Sequence, residues 1–188
     1  MTQQEVLERL QEGNQRFVTD KLDGKLQNSS RREGLVNGQS PYAIILSCAD
    51  SRVVPELAFD TGLGELFVIR IAGNVANRSS VASIEYAVAH LGTKVIVVLG
   101  HESCGAVSAA IAGGDNGVNL NHLLSHISQA INDSGSNADV QTVVKKNAKI
   151  NAQELVKKST IISEAVQNEG LQIVSAYYNL DSGKVDFL

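Results

Sequence analysis

Two short segments hold the residues best suited to chemistry: Cys48-Ala-Asp-Ser-Arg52 and His101-Glu-Ser-Cys104. They contain both cysteines of the chain. Together they offer two thiolates, one imidazole and one carboxylate, a donor set suited to Zn²⁺. Structural zinc sites close their shell with four Cys or His ligands in paired knuckles. Here Cys48, His101 and Cys104 supply three soft ligands and Asp50 an acid, which leaves a position open for water or substrate, as catalytic zinc requires. The alternative is a disulfide or a pair of buried thiols. The polar setting of both cysteines, at the ends of apolar runs, favours metal, and a cytosolic chain rarely keeps a disulfide.

Other reactive side chains lack partners. Ser103, between His101 and Cys104, has no second free histidine to activate it and reads as a hydrogen-bonding residue near the thiolates. Gly105 lets the backbone pass close to the metal or start a helix. Gly62-Leu-Gly64 lacks the third glycine and the helix start of a dinucleotide fingerprint. His90 ends a helical pattern, where it serves structure or capping. His122 and His126 share one helical face, but no third ligand stands near them. They read as a surface pair, with a proton-relay role only if their helix borders the pocket mouth.

The elements that must position these residues follow from periodicity. Residues 3–18 place Val6, Leu7, Leu10, Phe17 and Val18 at mostly helical spacing. Polar residues 19–40 read as a loop with one helical turn near Ser30–Val36. Continuous apolar runs at Tyr42–Ser47, Leu66–Ile71 and Val95–Leu99 predict strands covered on both faces. Helices are expected at Ser80–His90, Cys104–Ala112, Asn119–Ile131 and Val140–Asn168, the last as one helix or two joined. Leu171–Tyr178 is a fourth strand, and Asp181-Ser-Gly183 turns into a short last strand at Lys184–Phe187. The fold class is therefore α/β: a mostly parallel central sheet of about four strands plus the short C-terminal one, flanked by helices. Sites in such sheets form beyond the carboxyl ends of strands, where strand order reverses. If the strands before Cys48 and His101 are neighbours there, the two motifs converge.

The bounds agree. At 188 residues, with no linker, repeat or low-complexity tract, residues 1–188 read as one domain. A net charge of −4 with scattered Lys and Arg argues against nucleic acid as a partner, since pairs such as Arg31-Arg32 are the longest basic runs. No run approaches the length of a membrane span, and the start lacks a secretory pattern, so a cytoplasmic protein is expected.

These motifs, in this order, resemble the β-class carbonic anhydrases, and specifically their plant-like, open-site subtype. The match is carried by Cys48–Arg52, Ala72-Gly-Asn-Val-Ala-Asn77, Ser83-Ile-Glu-Tyr-Ala87, Gly100-His-Glu-Ser-Cys-Gly105 and Tyr177–Val185. The resemblance implies reversible hydration of CO₂ to bicarbonate, with one Zn²⁺ per chain on Cys48, His101 and Cys104. Asp50 and Arg52 are then the catalytic dyad, although alone they would read as a surface ion pair. Asp50 aims the nucleophile, and Arg52 keeps Asp50 ionised and off the metal. Gln39, Phe67, Tyr86 and Gly105 match substrate-pocket positions, Phe67 and Tyr86 from across a dimer interface. Without the family, Phe67 and Tyr86 would read as packing and Gln39 as exposed. A homodimer at minimum is implied, or a homotetramer or larger, with the N-terminal arm over residues 1–40 packing on the partner. Two alternatives use the same zinc site: hydrolysis of carbonyl sulfide or carbon disulfide, and a non-enzymatic zinc-stabilised assembly module.

Overall fold

The computed structural model describes residues 1–188. Five strands form one sheet: β1 (Ala43–Ser47), β2 (Leu66–Arg70), β3 (Val95–His101), β4 (Gln172–Tyr178) and β5 (Val185–Phe187), in the order β2-β1-β3-β4-β5. The first four are parallel and β5 is antiparallel to β4. The apolar runs are continuous because both faces of the sheet are covered. Ala43, Ile45, Val97 and Leu99 face one side, and Ile44, Leu46, Ile96 and Val98 the other, all of them buried.

Helix α1 (Gln3–Val18) covers the first side with α3 (Pro55–Ala58), after the short α2 (Ser29–Gly34). A capping box starts α1: Thr2 Oγ1 accepts from the Glu5 N–H, and Glu5 Oε2 accepts from the Thr2 N–H. Val6 and Leu10 of α1 join the core of their own chain, against Ala43, Ile45 and Phe59. Asn14 Nδ2 donates to the carbonyls of Ala58 and Gly183, and its Oδ1 accepts from the Val185 N–H. Part of the apolar face of this arm is thus covered within the chain, while Leu7, Phe17 and Val18 stay half-buried.

The opposite side carries α4 (Arg78–Leu91), α8 (Val140–Lys158) and α9 (Thr160–Asn168). Between β3 and α8 run α5 (Gly105–Ala112), α6 (Val118–Ser125) and α7 (Ser128–Ser134). The single helix expected over 119–131 is two, broken near Ile127, whose fully buried side chain reaches the turn at Gly73. The stretch from Val140, expected as one helix or two joined, is two, α8 and α9, which meet at Ser159. No helix is long and apolar enough to cross a membrane.

Topology builds the crevice. From β1 the chain steps to β2 on one side, then returns past β1 to β3 on the other. Strand order therefore reverses between β1 and β3, and their carboxyl ends open a gap. Cys48 follows the last residue of β1, and His101 is the last residue of β3, which extends beyond the expected Leu99.

Candidate metal centre

The two motifs converge in that crevice. One ligand atom from each of Cys48, His101 and Cys104 lies within 4.8 Å of the others, and all three residues are buried. His101 Nδ1 lies 2.8 Å from the Glu102 carbonyl, a contact that requires the proton on Nδ1. This tautomer leaves the Nε2 lone pair free, buried and without a protein partner. Cys104 caps α5, and the N–H groups of Ala106 and Val107 favour its thiolate. The Cys48 thiol is held well below its ordinary value. The main cause is a hydrogen bond from the Cys104 thiol, aided by the backbone N–H groups of Gly73 and Asp50. The same contact pushes Cys104 up, since the two sulfurs compete for one proton. A divalent cation held by these residues would relieve that competition and satisfy the orphaned lone pair of His101. The donor set therefore fits Zn²⁺ on chemical grounds.

Asp50 stands beside this group rather than in it. Its Oδ2 lies 3.9 Å from His101 Nε2, while Arg52 holds both carboxylate oxygens. The hydrogen bonds from Arg52 keep the Asp50 carboxyl well below the usual carboxylate range. Arg70, at the end of β2, donates to the carbonyls of Cys48 (3.1 Å) and Asp50 (2.6 Å), fixing the loop that carries both. Gly73 N–H points at Cys48 Sγ from 3.4 Å. Ser103 takes a left-handed φ of +53° in the tight link between His101 and Cys104.

The remaining expected residues fall elsewhere within one chain. Gln39 is exposed in the loop entering β1, at the opposite end of that strand from Cys48. A strand of that length spans roughly 16 Å, so Gln39 cannot serve the crevice of its own chain. Phe67 and Tyr86 do meet each other, with ring centroids 6.3 Å apart, at the outer edge of the sheet, and Tyr86 is half exposed. Gly105 begins α5, and a Cβ there meets nothing within 4 Å, so space does not demand glycine. His122 is exposed and His126 partly buried, with their rings 5.3 Å apart. Gly73 lies in the quoted Ala72–Asn77 motif, but nothing in the motifs pointed to Arg70, Asn147 or Asn151 as supports. The available signals were a charge ending the apolar run Leu66–Ile69, and two asparagines one turn apart on an otherwise apolar helical stripe.

Fold and centre together define a class: an α/β protein with a Cys-His-Cys group able to hold a metal at the switch point and an ionised Asp–Arg pair beside it. Comparison with known proteins gives the family. The carbonic anhydrase family model matches residues 43–185. A carbonic anhydrase 2 of Mycobacterium tuberculosis is 39% identical over 181 residues, covering 93% of this chain and 87% of that one. The crystal structure of the β-carbonic anhydrase CafA of Aspergillus fumigatus superposes with a TM-score of 0.76 at 30% identity, covering 84% of this chain and 79% of its own. A tetrameric β-carbonic anhydrase of Sordaria macrospora gives 0.76 at 26% identity, over 84% and 85%. The chain belongs to the β-carbonic anhydrase family.

Proposed function

We propose that this chain is a zinc-dependent carbonate dehydratase, interconverting CO₂ and bicarbonate in the crevice between β1 and β3. The observation that carries this reading is the convergence of Cys48, His101 and Cys104, with Asp50 held beside them by Arg52. Zinc bound there supplies Lewis acidity, which makes a strong oxygen nucleophile available near neutral pH. Because Arg52 keeps Asp50 ionised, Asp50 only accepts hydrogen bonds and orients the attacking oxygen toward the carbon of CO₂. Arg52 occupies both oxygens of Asp50 and so keeps the acid from closing the shell.

The outer strand β2 supports an assembly. Its far edge is unpaired, and Leu66, Phe67, Val68 and Ile69 are each partly exposed. A partly exposed apolar edge of this kind is a template for pairing. A dimer through this side brings Phe67, Tyr86 and Gln39 of one subunit toward the partner's crevice. The tetrameric relative from Sordaria macrospora is consistent with such an assembly.

Stopped-flow CO₂ hydration on protein of measured zinc content, at pH 7 and 8.5, tests the reading. Fast turnover that scales with zinc supports it. One zinc per chain with no turnover at either pH overturns it, and turnover of carbonyl sulfide in that case moves the substrate to a sulfur analogue.

A further inference from the structure

Two buried asparagines stand behind the metal group without contacting its ligands. Asn147 and Asn151 lie one turn apart on α8 and are almost wholly buried. Asn147 Nδ2 donates to the Gly73 carbonyl at 2.8 Å, and Asn151 Oδ1 accepts from the Ala76 N–H at 2.6 Å. Asn151 Nδ2 donates to Asn147 Oδ1 at 2.9 Å, which orients both amides as one unit. Ser80 Oγ and Lys158 Nζ complete the set, donating to the carbonyls of Val75 and Ala76, each at 3.0 Å.

The segment they grip is conformationally demanding. Gly73 and Asn74 both sit at positive φ, +70° and +45°, and a Cβ on Gly73 would lie 3.0 Å from Ile127 Cδ1. A left-handed non-glycine residue persists where its surroundings over-determine it. In this conformation the Gly73 N–H faces Cys48 Sγ. Burying two amides is costly unless every polar atom is used. In this pair every side-chain oxygen and nitrogen is used, and two of the bonds go to the 73–76 backbone.

We propose that Asn147 and Asn151 are positioning residues of the metal centre. Acting through the 73–76 segment, they fix the N–H that Cys48 accepts and so set how much electron density its sulfur gives to the metal. This rests on the assignment of Cys48, His101 and Cys104 as ligands. Outer partners that orient or hydrogen-bond a ligand tune both affinity and the character of the bound metal.

The test uses the full chain loaded with Co²⁺. Its thiolate-to-metal charge-transfer band reads the donor strength of sulfur, and chelator competition reads affinity. Asn147→Ala is expected to move the band to lower energy and to weaken Co²⁺ binding by about 10-fold or more. Asn151→Ala, one bond further away, moves both the same way by less. Asn147→Ser, too short to reach Gly73, gives the same readout if the alanine variant does not fold. Leu155→Ala, in the core on the same helix, lowers the melting temperature and leaves the band in place. The proposal is overturned if Asn147→Ala or Asn147→Ser behaves like Leu155→Ala, less stable but with band and affinity unchanged. A wild-type chain with no thiolate–cobalt band removes the ligand assignment itself, and the proposal with it.

Discussion

Arg52 and Asp50 form a two-pronged ion pair within one turn of chain: Nε reaches Oδ1 at 3.0 Å and Nη2 reaches Oδ2 at 2.8 Å. The Arg52 N–H adds a third bond to Oδ1 at 3.0 Å. Arg52 is more than half exposed, so this pair contributes little to stability. Its consequence is orientation: a planar fork fixes the plane of the carboxylate 3.9 Å from His101 Nε2.

Asp50→Asn should therefore fold and keep its metal but lose roughly 100-fold or more in kcat, because the amide no longer acts only as an acceptor. Arg52→Ala should also lose activity, since the freed carboxylate can turn toward the ligand group. Metal analysis alongside stopped-flow kinetics checks both. Near-normal turnover of Asp50→Asn would remove that residue from the mechanism.

A hybrid experiment decides which subunit Gln39 serves. Gln39→Ala leaves the ligands intact, whereas Cys48→Ser removes one. If Gln39 acts on the partner's crevice, mixed dimers of the two variants contain one complete site, and activity rises above that of either parent. No gain on subunit exchange would show that Gln39 has no role across the interface.

Removing the metal should expose a local cost. The chain then buries two thiols in competition for one proton and an imidazole nitrogen without a partner. Chelation is expected to lower the melting temperature and to make both cysteines reactive toward a disulfide reagent. Added Zn²⁺ reverses both changes. Equal thiol reactivity with and without metal would contradict the ligand assignment.

Acid stability should depend on Asp60. Burial alone would raise its carboxyl, but the Arg16 guanidinium and the N–H groups of Asp23 and Gly24 hold it below its ordinary value. A carboxyl with a depressed folded pKa adds stability above its unfolded value, about 3.9, and loses it as pH falls through that range. Asp60→Asn should thus cost on the order of 2 kcal/mol at pH 7, with the difference in melting temperature narrowing as pH falls below about 3.9 and through the lower folded value. A constant difference across that range would show that the charge is not what matters.

Helix α1 offers a steric test. A Cβ on Gly13 would lie 1.9 Å from the Phe59 carbonyl oxygen, a backbone atom that cannot swing aside. Gly13→Ala should cost upward of about 2 kcal/mol despite the better helix propensity of alanine. Denaturant unfolding measures it, and a neutral or stabilised variant would mean that α1 docks otherwise.

Much of this protein is legible along the chain because its signals are local. Apolar runs mark strands buried on both faces, and Cys48 and His101 stand where two of those runs end. Their donor chemistry needs no neighbours to be recognised, and the resemblance to a family rests on the same residues. The break at Ile127 was not visible, because helical periodicity continues through it. It occurs where the buried Ile127 meets Gly73.

Other features depend on which strands and helices become neighbours. The order β2-β1-β3 brings Cys48 to His101, and Val6 and Leu10 of α1 pack on their own sheet. Asn147 reaches Gly73 across 74 positions of sequence, and Arg70 reaches Cys48 across 22. Residue type and spacing are properties of the chain, whereas a hydrogen bond between distant segments exists only once topology has set them side by side. That is why the candidate ligands could be named from the sequence, while the polar framework around them could not.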